Sequence, residues 1–188
     1  MIGVIKPSTI PEIDGEIIDG CVMLCFFLQL KVVLFLSMPI NSRLTREKLN
    51  YVERVDVVWD VRQQDTSVKL AGSSRGTGTK TTVRPSAKIP NWRKFLRVGD
   101  RLSELQGLIS NHIQKYKKDA KILVTTRADS AVSNVMGFNN THLSPCTHEK
   151  ADYRIILHIS DTTRCGCSKI KVVTSDIDVV IICLAYYH

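Results

Sequence analysis

Asp176 and Asp178 stand between two β-branched runs, in Lys171-Val-Val-Thr-Ser-Asp-Ile-Asp-Val-Val-Ile-Ile182. A folding core gains nothing from two anions there, because each is costly to desolvate unless a cation holds it. Val172, Val173 and Val179 to Ile182 read as a buried strand of the parallel type, apolar on both faces, and the two acids can converge only if that strand ends near Asp176. Carboxylates at the C-terminal tip of a parallel strand lie where open α/β sheets keep their ligands. Other acids recur in the same setting. Asp19 closes the run from Glu16, Asp60 closes the run from Arg54, and Glu149 and Asp152 share one face of a helix start. Parallel strands would bring these tips to one sheet edge, where like charges raise one another's pKa and call for a cation. Hard oxygen donors without an organised Cys/His set favour Mg²⁺ or Mn²⁺. Two such ions about 4 Å apart activate water and stabilise the leaving oxygen of a phosphodiester. Each acid also has an ordinary reading: Asp19-Gly20 as a turn, Glu149 and Asp152 as macrodipole partners.

The elements that must position these residues follow from periodicity. Strands are expected at Glu16 to Asp19, Arg54 to Asp60, Ala120 to Thr126 and from Lys171 onward. Asp100 can cap a helix with Leu102, Leu105, Ile109, Ile113 and Tyr116 inward. Thr147 can cap another over His148 to Thr162, with Ile155, Ile156 and Ile159 inward, and Arg43 to Glu53 is helix-competent. Alternating strands and helices predict one α/β domain over 1–188, with a mainly parallel central sheet flanked by helices. Residues 63–101 read as a basic loop or insertion within it.

The chain carries a net charge of +8. From Lys80 to Lys121 eleven Lys/Arg face three acids, an excess equal to the whole net charge. An anionic partner is expected, nucleic acid first. Lys80, Arg84, Lys88, Arg93, Lys94, Arg97 and Arg101 surround Trp92 and Phe95, so cations could track phosphates while a ring stacks on a base. A solvated loop with its aromatics anchored in the core is the competing reading. Cys21 to Ile40 is apolar enough to suggest a membrane span, but Lys31 near its middle opposes insertion. Acids stand where a signal peptide needs bases. A buried strand and helix is the favoured reading of 21–40, with membrane association as the alternative. Six irregularly spaced cysteines fit a reducing, intracellular compartment, nuclear or cytoplasmic, with Cys21, Cys25 and Cys183 expected in the core. Cys165-Gly-Cys167 has one intervening residue, too few for an ordinary structural zinc site.

Asp56-Val-Val-Trp-Asp60 followed by Lys69 and Ser73-Ser-Arg-Gly76 resembles the second-strand region of the flap-endonuclease and PIN-like nucleases. Ser144-Pro-Cys-Thr-His-Glu-Lys-Ala-Asp152 resembles their acidic helix start, Thr174-Ser-Asp-Ile-Asp178 their Asp-x-Asp strand end, and Ile17-Ile-Asp-Gly20 their first-strand acid. The order and spacing are also similar to uncharacterised members of this superfamily that occur in many copies in invertebrate genomes, which implies a mobile-element origin. The resemblance spans roughly Ile17 to Ala185. It implies a Mg²⁺- or Mn²⁺-dependent nuclease on DNA or RNA, with Asp19, Asp60, Asp152, Asp176 and Asp178 catalytic and Glu149 a further metal ligand. It also implies phosphate binding by Lys69, Arg75 and the Lys80–Arg101 segment. Two departures lead to the alternative of a catalytically inactive nucleic-acid-binding remnant. Lys150 stands two before Asp152, where the family has an acid, and the chain stops at His188, where relatives continue, so C-terminal truncation is expected.

Overall fold

The computed structural model describes residues 13–29, 52–60, 99–115, 121–146 and 151–186, with the backbone alone at 25–29 and 99–102. In chain order its elements are β1 (Gly15–Asp19), α1 (Gly20–Gln29), β2 (Arg54–Val58), α2 (Gly99–Gln114), β3 (Ile122–Arg127), β4 (Ser130–Ser133), α3 (Ala151–Arg164), β5 (Ile170–Val173) and α4 (Ile177–Tyr186). The short β-branched runs of β1 and β2 pair in parallel at the centre, Gly15 opposite Arg54 and Asp19 opposite Val58. β5 adds to β1 and β3 to β2, both in parallel, and β4 folds back antiparallel on β3. The strand order is β4-β3-β2-β1-β5, a mainly parallel α/β sheet with flanking helices, as expected from the alternating pattern.

Side-chain alternation along the strands sorts the core into two layers. Val55 and Val57 of β2 pack with Leu24 of α1 and with Leu105, Ile109 and Ile113 of α2. Those three α2 residues recur at four-residue spacing, as the sequence predicts. Ile17 and Val58 face the other way, onto Ala151, Ile155 and Ile159 of α3 and Val179 of α4. Ile156, expected inward, is half-buried at the margin of that cluster.

The reading of Val179 to Ile182 as strand is corrected, while the strand does end shortly before Asp176, as convergence of the two acids requires. β5 ends at Val173, and Val179 to Ile182 lie in α4. The physical reason is Asp176, whose Oδ1 accepts the Asp178 N–H at 2.9 Å and so caps a helix. A short apolar run does not by itself separate strand from helix, and the cap decides it. Val179 reaches the α3 layer, while Ile177, Val180, Ile181 and Leu184 stay exposed. β4 is a second difference: no strand is expected between Thr126 and Lys171, yet Ser130 to Ser133 pairs with β3 across a turn in which Ala128 takes a positive φ of 50°. A third concerns the thiols: Cys21 is exposed and Cys183 half-buried, while Cys146 and Cys167 are buried.

Of the basic insertion, 63–98 lies outside the described residues and 99–101 open α2. The helix expected at Arg43 to Glu53 lies almost wholly outside them, as does Thr147, and so does the apolar stretch beyond Gln29. Among the described residues, no helix is long and apolar enough to cross a membrane.

Candidate metal centre

Parallel pairing of β1, β2 and β5 brings their C-terminal ends, and the starts of α1, α3 and α4, to one sheet edge. Three acids act there as helix caps. Asp19 Oδ1 accepts the Cys21 N–H at 2.8 Å, at the start of α1. Asp60 Oδ1 accepts the Ala151 N–H at 2.7 Å, so an acid after β2 caps α3 across 91 residues of sequence. Asp176 caps α4 as described above. Each such bond uses one lone-pair direction of one oxygen, which fixes the carboxylate and leaves further acceptor capacity. The Thr174 hydroxyl donates to Asp19 Oδ2 at 3.2 Å and accepts the Asp176 N–H at 3.0 Å, tying β1 to the turn after β5.

Asp152, Asp176 and Asp178 each present an oxygen such that all three lie within 4.8 Å of one another. Asp152 is buried, whereas the other two face solvent. Asp19 stands close to this group. Burial pushes its carboxyl above the ordinary range, the Cys21 N–H and Thr174 hydroxyl pull it back, and the charges of Asp60 and Asp152 push it up further. Arg54 pairs with Asp56 and Asp161, and Lys171 with Glu16. The donor set therefore fits a small divalent cation: hard carboxylate oxygens, closely spaced, with repulsion that a cation would relieve.

All five predicted catalytic acids thus come to one edge, three of them within ligand range of each other. Glu149, Lys69, Arg75, Lys80, Arg84, Lys88, Trp92, Arg93, Lys94 and Arg97 lie outside the described residues, and of Arg101 the backbone alone is placed, in the first turn of α2. Asp56, though part of the quoted motif, belongs to a different structure. Arg54 donates to it through Nε at 2.7 Å and Nη2 at 2.8 Å, and His158 Nδ1 lies 2.6 Å from its Oδ2. Asp161 forms an ion pair with the same guanidinium at 2.8 Å. This network was legible in principle. Arg54 and Asp56 share one face of an otherwise apolar strand, and His158 and Asp161 are three apart on one helix.

Beside Asp60 a cleft of about 300 Å³ opens between α2 and the β3–β4 turn, with Trp59, Gly107, Thr126, Arg127 and Arg154 among its walls. Trp59 closes the neighbouring strand ends, its N–H bonded to Thr126 Oγ1 and its indole N–H to Thr125 Oγ1. Comparison with protein-family models, with curated proteins and with solved structures returned no match.

Proposed function

We propose that the protein is a divalent-metal-dependent phosphodiesterase acting on nucleic acid, a PIN-like or flap-endonuclease-like nuclease. The observation that carries the reading is the convergence of Asp152, Asp176 and Asp178 from two helices and a turn onto one small volume. Asp152, Asp176 and Asp178 would hold Mg²⁺ or Mn²⁺, with Asp19 and Asp60 flanking them. When bound, such an ion supplies Lewis acidity toward a phosphoryl oxygen and toward water. The chain's own residues do the remaining work. Asp152 forms the buried floor, Asp176 and Asp178 face the solvent from which a backbone phosphate arrives, and Thr174 fixes both Asp19 and the Asp176 turn. The basic stretch that includes Lys80 to Arg97 connects Asp60 to α2, so it departs from the carboxylate edge itself. Its charge would supply phosphate contacts and a salt-dependent affinity.

A second reading is favoured by the caps. Asp19, Asp60 and Asp176 each hold a helix start or turn in place, so the fold accounts for their positions without a metal. On that reading the protein binds nucleic acid without cleaving it. Labelled flap, single-stranded DNA and RNA substrates, incubated with Mg²⁺, Mn²⁺ or EDTA, separate the two. Cleavage that requires the metal and disappears in Asp176→Asn/Asp178→Asn supports the nuclease. Salt-sensitive binding with no cleavage under any condition supports the second reading.

A further inference from the structure

Arg154, on the fourth residue of α3, is only 1% exposed. Its Nη2 donates to the Ala128 carbonyl at 2.6 Å and its Nη1 to the Trp59 carbonyl at 3.5 Å, so it braces the ends of β2 and β3. Its Nε is buried without a hydrogen-bond partner among the described residues. No carboxylate among the described residues pairs with it at ion-pair distance, in contrast to Arg54, which has two. A guanidinium desolvated in this way is costly unless an anion compensates it.

The cleft described above offers the place for that anion. Arg127 stands at the end of β3 with its side chain exposed, and like Arg154 it lines the cleft. Thr126 and Ser103 add hydroxyls, and Asp60 marks the boundary with the carboxylate edge. Gly107 lines the same space from the middle of α2, where glycine costs about 1 kcal/mol relative to alanine. Packing does not demand that glycine, since a Cβ there would meet nothing within 4 Å. Its effect is to leave the cleft open.

We propose that this cleft binds a phosphate group and that, resting on the nuclease reading, the group is the terminal phosphate monoester of a nucleic-acid strand. Arg127 makes the direct contact, and Arg154 supplies fixed positive potential from the wall. The cleft lies beside Asp60, so a strand end seated there would run past the carboxylates.

The test is a calorimetric titration of the full chain in EDTA with inorganic phosphate, adenosine 5′-monophosphate and adenosine. Phosphate and the monophosphate should bind and adenosine should not. Arg127→Gln should weaken binding about tenfold, as for the loss of one hydrogen bond between charged groups. Gly107→Leu should abolish binding while leaving the thermal midpoint unchanged or higher, because leucine is the better helix former. Asp176→Asn/Asp178→Asn should bind as the wild type does. An oligonucleotide with a terminal phosphate should compete better than its hydroxyl counterpart. No binding by wild type, equal binding of adenosine, or binding that survives Gly107→Leu would overturn the phosphate site. Equal competition by the two oligonucleotides would overturn its assignment to a strand end. Because no metal is present, these results stand apart from metal-dependent cleavage, on which the nuclease reading depends.

Discussion

The carboxylate edge and the ion network beneath α3 both draw on the β2 region and α3, yet they balance charge in opposite ways. In the network one guanidinium lies between Asp56 and Asp161, with His158 at the Asp56 Oδ2 that the guanidinium also reaches and the Phe138 ring 5.4 Å from the guanidinium carbon. Both carboxylates there have the same guanidinium as a partner inside the fold. At the edge, backbone amides donate to Asp19, Asp60 and Asp176, and the Thr174 hydroxyl donates to Asp19, with Asp152 and Asp178 gathered beside them. Such donors orient a carboxylate and soften its charge without cancelling it. A charge cluster that closes on itself serves the fold, and one that stays open calls for a ligand.

The largest expected effect comes from opening the closed cluster. Arg54→Met would leave Asp56 and Asp161 buried without their cation, at a cost of about 3–5 kcal/mol, read as a lower urea midpoint. A loss below about 1 kcal/mol would show that the network is less tightly coupled to the fold than its geometry implies. Gly20→Ala comes next. A Cβ at position 20 would lie 2.1 Å from Trp59 Cε3, inside the ring that seals the β1 and β2 ends. Overpacking of this kind costs about 1–3 kcal/mol, and an unchanged thermal midpoint would contradict the tight packing of Trp59.

The two regions should also respond to pH with opposite signs. Burial works against ionised Asp56, but the bonds from His158 and Arg54 outweigh it and hold its carboxyl below 3.8. Its contribution to stability is therefore present above that value and is lost as pH falls through the folded pKa. Asp19 is shifted upward from 3.8, mainly by burial. Its ionised form penalises the folded state at neutral pH, and the penalty is relieved as pH falls through its folded pKa toward 3.8. Asp19→Asn, which keeps a capping oxygen, should then stabilise the metal-free protein at neutral pH, with the gain fading toward acid. Urea midpoints of both proteins across this range check the prediction, and parallel curves would contradict it.

Much of this contrast could be read from residue types, and the remainder could not for physical reasons. β1 and β2 were legible as β-branched runs ending at or just before an acid, and α2 as Leu105, Ile109 and Ile113 at helical spacing. The acids of the edge were found because they interrupt or terminate apolar runs. Their detailed arrangement was not, since Asp60 caps α3 from 91 residues away, and only the tertiary fold makes that bond. Val179 to Ile182 deceived because β-branched residues favour strands while the deciding signal was one cap at Asp176. The burial of the network has no signal in the sequence, because Arg54 and Asp56 alternate with Val55 and Val57 as polar residues do in a half-exposed strand. Both are almost wholly buried, against a helix that turns His158 and Asp161 inward.

The smallest expected effect on stability is at the open cluster itself. In the absence of metal, Asp176→Asn/Asp178→Asn should change the urea midpoint little, because both side chains are exposed and Asn preserves the cap. Its consequence is for binding. The most direct measurement is therefore a calorimetric titration of Mn²⁺ and Mg²⁺ into the metal-free wild type and this double variant. Saturable binding by the wild type, lost in the folded variant, is the result the carboxylate edge predicts. No binding by the wild type, or equal binding by the two proteins, would contradict it.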